Sequence, residues 1–208
     1  MNPITHLLIG WGLANTADLN RRERGVVTLA AVVPDIDGLG IIADFATRNS
    51  SQPSELWGSL HHVLGHNLGV GILVSAVAFA VATRRWLCAT LAFIAFNLHI
   101  VGDVIGGRGP DGDQWPIPYL LPFSDRWQLA WSGQWELNNW PNIALTVALL
   151  SLTFYLGWGR GYSPLELVSR RADTAFIAAL RARFGSPTPG KRNRRSADGC
   201  SRRRGFST

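Results

Sequence analysis

Ser59-Leu60-His61-His62-Val63-Leu64-Gly65-His66-Asn67 is the stretch on which the reading of this chain turns. It carries three of the five histidines and opens an apolar run that continues to Ala82. The other two, His6 and His99, are also set in apolar sequence, and no histidine follows residue 99. Carboxylates occur in the same setting: Asp35 and Asp37 in Val-Val-Pro-Asp-Ile-Asp-Gly, and Asp103 in His-Ile-Val-Gly-Asp. A carboxylate beside hydrocarbon is costly unless it is paired or bound to a cation, and imidazole is the commonest metal ligand. The pattern points to one metal site held by apolar helices.

Composition supports a membrane setting. Apolar residues make up 47% and charged residues 16%, against about 25% charged in soluble domains. The formal charge of +6 sits entirely in residues 185–208, where seven basic side chains accompany the single acid Asp198. The expected organisation is a membrane-embedded domain over 1–184 and a disordered, Arg-rich tail over 185–208. A membrane-proximal basic tail suits anionic lipid better than nucleic acid, so membrane lipid is an expected partner and nucleic acid is not. Cys88 in an apolar segment and Cys200 in the tail exclude a disulfide framework.

Apolar runs place five helices in an all-α, integral-membrane bundle: Thr5 to Ala17, Gly25 to about Phe45 broken at Pro34, Leu60 to Ala82, Trp86 to Ile105, and Pro141 to Trp158. Ser163-Pro164-Leu165-Glu166 reads as a capping box opening an amphipathic C-terminal helix to about Phe184. Five of the nine tryptophans (Trp115, Trp127, Trp131, Trp135, Trp140) fall in the 106–140 loop, as an interfacial belt or a small aromatic core. Arg21, Arg22 and Arg24, then Arg84 and Arg85, then the basic residues from Arg160 on mark alternate ends of the segments. This predicts a multi-pass protein of the cell (inner) membrane with its arginine-rich side in the cytoplasm. The candidate ligands then share the opposite, non-cytoplasmic end.

His62 and His66 would share a helix face, as would His99 and Asp103. A mixed nitrogen and oxygen set suits zinc, manganese or iron. Six or seven ligands exceed one tetrahedral ion, so two ions are expected. The chemistry anticipated is hydrolysis by a metal-activated water, with Asp35 or Asp37 bridging metals or acting as base. The alternative is a non-catalytic membrane protein such as a metal or proton transporter, since intramembrane ionisable groups also mark transport paths.

Met-Asn-Pro-Ile-Thr-His6, Pro34-Asp35-Ile36-Asp37, His61 to His66, His99-Ile-Val-Gly-Asp103 and Leu121-Pro122-Phe123-Ser124 resemble, in order and over roughly residues 1–125, the YdjM-like, LexA-regulated membrane-bound metal-dependent hydrolases. The resemblance implies an integral-membrane helical protein and a metal-dependent hydrolase; the expected reaction is cleavage of a phosphoester or other ester at the membrane surface, in a small molecule or a lipid. It implies the metal ligands His6, Asp35, Asp37, His61, His66, His99 and Asp103. The family stretch commonly reads His-Arg-Gly-x-Thr-His-Ser, which puts His61 and His66 in the ligand positions and His62 in place of the arginine. Helix geometry instead pairs His62 with His66, because residues five apart differ by roughly 140°. With His61 as ligand, His62 becomes a group behind the ligands or one contacting an anionic substrate.

Overall fold

Proline at residue 34 breaks the second apolar segment, and the site is built at that break. The computed structural model describes residues 1–109, Gly112 and 114–187. Among them every regular element is helical, apart from two isolated bridge pairs. The expected Arg-rich tail lies, from residue 188 on, outside the described residues, as do Pro110, Asp111 and Asp113.

Helix α1 spans Pro3–Ala14, with the Asn2 side chain accepting from Thr5 N and proline in its first turn. Helix α2, Arg21–Ala30, starts in a reciprocal Asn20–Glu23 capping box. A 3-10 turn, Val33–Leu39, leads into α3, Gly40–Thr47, and this Val33–Thr47 stretch is bent by 54° from α2. Then come α4 (Leu56–Leu60), α5 (Leu68–Val81), α6 (Arg85–Gly106), α7 (Trp140–Arg160), a 3-10 turn (Pro164–Leu167) and α8 (Arg170–Phe184).

Helices α6 and α7 are long and apolar enough to cross a membrane, and the bent α2–α3 pair makes a third candidate. The expectation of a full span from Leu60 to Ala82 is corrected. Its helical part, α5, has 14 residues, about 21 Å against a hydrocarbon core of about 30 Å. The missing turns are the non-helical loop His61–Asn67. There His62 adopts φ 68° and Asn67 caps α5 by accepting from Val70 N.

The chain divides into two compact units, Met1–Phe154 and Tyr155 onward. In the first, small residues let α1, α2, α5 and α6 approach closely, with Ala14, Ala30, Ala31, Ala78, Ala92 and Ala95 buried at their contacts. Gly10 marks the tightest crossing: a Cβ there would lie 2.7 Å from Ala31 Cβ. The 107–139 segment is tied down rather than loose. Trp135 N donates to Ile105 O, Arg108 N to Trp135 O, and Asn142 Nδ2 to Gly106 O. The tryptophans of residues 106–140 differ in exposure. Trp115 packs on Trp57, His61 and His62, while Trp127, Trp131 and Trp140 are exposed.

In the second unit, Ser163 does not open α8. Its N–H and hydroxyl donate to the buried Asp173 carboxylate, and Ser169 caps the helix. Asp173, Ile177 and Leu180 form the buried stripe of α8, whereas Val168 and Phe184 of the expected apolar face are exposed.

Candidate metal centre

Four stretches meet at one end of the first unit: the start of α1, the 3-10 turn after α2, the loop before α5 and the last turns of α6. Asp35, His66, His99 and Asp103 each offer one ligand atom, and these atoms all lie within 4.8 Å of one another. The three other than Asp35 are fully or almost fully buried. His99 and Asp103 are one turn apart on α6, and His99 Nε2 lies 2.9 Å from Asp103 Oδ2. His66 Nε2 is 3.1 Å from His99 Nε2 and 3.3 Å from Asp103 Oδ2. Asp35 Oδ1 is 3.7 Å from His99 Nε2.

Outer hydrogen bonds decide which atoms face inward. His99 Nδ1 lies 2.8 Å from the Ala31 carbonyl, which only accepts, so Nδ1 carries the proton and Nε2 the lone pair. His66 Nδ1 lies 3.1 Å from Asp37 Oδ2, and the same reasoning turns its Nε2 inward. The Nε2 atoms of both imidazoles therefore face each other and the carboxylate of Asp103. Asp35 Oδ2 and Asp103 Oδ2 are buried with no hydrogen-bond partner. Acceptors packed against acceptors without a proton between them repel, and a cation relieves that repulsion. The residues fit a divalent metal of the nitrogen- and oxygen-loving kind.

The remaining sequence-predicted residues surround these four. Asp37 accepts from His61 Nδ1 at 2.9 Å, from His66 Nδ1, and from Gly65 N at 2.8 Å. Both its oxygens are thereby engaged in orienting the loop. His6 places Nε2 3.1 Å from Asp103 Oδ1 and stacks on the His99 ring at 3.7 Å, in space that Gly102 leaves open. The Met1 amino group also contacts Asp103 Oδ1. His61 keeps its Nε2 away from Asp37 and lines the cavity described below. His62 is buried, with Nε2 4.0 Å from Asp103 Oδ2 and Nδ1 without a partner. The helical pairing of His62 with His66 is corrected, since residues 61–67 are not helical; the two rings meet through the left-handed backbone of His62.

Electrostatics separate His62 from His66. Burial, reinforced by His66, pushes the His62 imidazole down to about 3, so it is neutral. Burial also opposes charge on His66, but hydrogen bonds and attraction from Asp103 and Asp37 outweigh it and raise its pKa to about 9, so one positive charge is favoured there, as a proton on Nε2 or as a cation in its place. The cluster is built to hold positive charge.

Sequence reasoning missed three structural supports. Gly65 runs so close to the Pro34 turn that a Cβ would lie 2.2 Å from Pro34 O. Asn67 pins the loop by donating to Val63 O and Leu64 O; an Asn just before an apolar run is the signal that marks it. Gln134 reaches back from the 107–139 segment to donate to Asp103 O at 2.7 Å, and nothing in its local sequence announces this.

A cavity of about 310 Å³ adjoins the cluster. Asp35 and Asp103 reach it from the metal centre, with His61 and His62 beside them and Leu39, Trp57, Trp115 and Leu137 among its walls. No curated protein and no solved structure matches the chain. The family model of the YdjM inner membrane protein matches residues 1–180, and the chain belongs to that inner membrane protein family.

Proposed function

We propose that this protein is a membrane-bound, metal-dependent hydrolase of phosphoesters or other esters. The observation that carries the reading is the convergence of the His66 and His99 Nε2 atoms on the carboxylates of Asp103 and Asp35 beside an open cavity. Asp35, His66, His99 and Asp103 would hold the ion, zinc first by donor type, with manganese or iron as alternatives. When bound, a divalent cation supplies Lewis acidity and lowers the pKa of water toward neutrality. Asp37 holds the two imidazoles that it contacts in one tautomer. His6 orients the Asp103 carboxylate through its Oδ1. Asp35 both lines the cavity and keeps Oδ2 unpaired, which suits it to take a proton from the attacking water. His61 and His62 face the substrate, with His61 Nε2 as a ligand for a second ion.

The arrangement is proposed to be multi-pass. Arg21, Arg22, Arg84 and Arg85 lie at the helix ends opposite the site, which supports a site on the non-cytoplasmic face. Domain limits of 1–184 with a separate basic tail belong to the same reading.

Transport is the second reading, and one observation favours it: the site lies at a break in an apolar helix pair, as in many transporters. Against it, Asp103 is three residues from the end of α6, roughly 5 Å along the axis, so the cluster is near a helix end rather than mid-span. Metal analysis of the purified protein, run beside hydrolysis of a phosphoester and carboxylester panel, tests the proposal. Bound metal and cleavage that both disappear in His66→Ala support it. Full metal loading with no ester cleaved moves the assignment to transport.

A further inference from the structure

The cavity beside the metal centre opens onto apolar surface rather than onto a polar groove. Asp103, at its inner end, is 2% exposed, whereas Leu39, in its wall, is 58% exposed and so sits at the rim. From Leu39 the exposed apolar side chains run on at every third residue: Ile36, Leu39, Ile42 and Phe45 are each 58% exposed or more. They form one face of the 3-10 turn and α3. Away from this strip the Asp44 carboxylate anchors α3, accepting from Ser54 Oγ, Leu56 N and Trp57 N. At the far end, the Arg48 guanidinium lies 4.1 Å over the Phe45 ring, a cation beside the apolar strip as at a lipid headgroup boundary.

A water-soluble ester has no use for this strip. A cavity of about 310 Å³ is at the small end of ligand pockets, about 300–1,000 Å³, and cannot enclose a diacyl lipid. It has room for a polar headgroup with the chains left outside. In an inner membrane protein, exposed apolar helix surface faces lipid, so the rim at Leu39 is continuous with the bilayer.

Resting on the hydrolase reading above, we propose that the substrate is a membrane phospholipid that enters sideways, from the bilayer. Its phosphoester passes over Leu39 beside the wall made by the packed Trp57 and Trp115 rings, and its acyl chains stay on Ile36, Ile42 and Phe45. Water is then consumed stoichiometrically. Its oxygen bonds to phosphorus, the bond from phosphorus to the leaving oxygen breaks, and that oxygen departs as an alcohol carrying one of the water's protons. The phosphoryl product keeps the other as its acid proton.

The full chain is placed in vesicles of phosphatidylethanolamine and phosphatidylglycerol containing phosphatidylethanolamine with a photoreactive group on its headgroup. Labelled peptides are mapped by mass spectrometry. Labelling of the segments holding Trp57 and Trp115 is expected, and Leu39→Asp should lower it by about tenfold or more, as a carboxylate set in hydrocarbon requires. Labelling at the outer surface of α6 serves as the folding control. Ile42→Asn, outside the cavity, should lower it about threefold, on the scale of one lost apolar contact. Hydrolysis of the same lipid and of bis(p-nitrophenyl) phosphate is measured in parallel, and Leu39→Asp should reduce the ratio of lipid to soluble rates by about the same factor as the labelling. Cavity segments left unlabelled, or a rate ratio unchanged in Leu39→Asp, overturn lateral entry. Labelled cavity segments with neither substrate cleaved support lateral entry and remove the hydrolase reading beneath it.

Discussion

Two buried carboxylates, at opposite ends of α2 and α6, show how differently the same group is used. Glu23 is 1% exposed, and every hydrogen bond it needs is present. Asn20 N donates to Oε2 and Arg84 N to Oε1, and the residue closes the N-terminal box of α2 against the start of α6. Asp103 is 2% exposed, yet its Oδ2 has no hydrogen-bond partner and faces the inward-turned Nε2 atoms of His66 and His99. A buried polar group with all partners in place is architecture. One facing a ring of ligand atoms is built around a positive charge. Burial alone does not tell them apart; the outer bonds of the histidines do.

The comparison breaks most visibly at Asp103. Asp103→Asn should lower metal affinity by more than about 100-fold, beyond what loss of an outer partner costs, and abolish hydrolysis. Isothermal titration with zinc and metal content after purification check it. Retained metal would show that the four-residue cluster is not the site.

Asp37→Asn should have the next largest effect. An amide can accept at one position only, so one of the three donors now on Asp37 (His61 Nδ1, His66 Nδ1, Gly65 N) meets an N–H. Zinc affinity should fall about 10–100-fold, the usual range for outer partners of metal-bound histidine. A loss as complete as that of Asp103→Asn would make Asp37 a ligand itself.

Glu23→Gln sharpens the contrast from the other side. It removes the ionised acceptor of two backbone donors and should cost about 1–3 kcal/mol of stability, read as a lower Tm in detergent. Metal content and zinc affinity should match the wild type. A parallel loss of metal would couple the two ends of the bundle and dissolve the distinction.

Much of this was legible in the sequence for a simple reason: ionisable residues in apolar segments have few causes, and a shared site is the commonest for so many together. The break at Pro34 followed from proline chemistry. The loop 61–67 did not, because its apolar composition mimics the start of a helix. What prevents the helix is tertiary: Gly65 packed against Pro34 O, Asn67 held by Val63 and Leu64, and Asp37 receiving the Gly65 N–H. The 61–67 stretch therefore read as the first turns of a spanning helix. The relation of Asp37 to the four-residue cluster was equally hidden, since Asp35 and Asp37 are equivalent in sequence and only the side chains opposite them differ. Likewise the capping signature at Ser163 is real but serves Asp173 instead of α8.

The smallest expected effect isolates the backbone of that loop. His62 holds φ 68°, a left-handed conformation that costs a residue with a Cβ about 1–2 kcal/mol and glycine almost nothing. His62→Ala and His62→Gly both delete the imidazole, so whatever the ring does in the cavity is lost equally from the two. They differ in strain. In thermal unfolding, His62→Gly should therefore be more stable than His62→Ala by about 1 kcal/mol, less any cost of glycine's added freedom in the unfolded chain. Both should keep wild-type metal content, because the ligand atoms of Asp35, His66, His99 and Asp103 do not include this ring. Both should show the same fall in hydrolysis. Equal stability of the two variants would mean the loop is not left-handed at residue 62, and the orientation of His66 that depends on it would have to be rebuilt. Loss of metal from both would instead place His62 among the ligands, as the helical reading of the sequence had it.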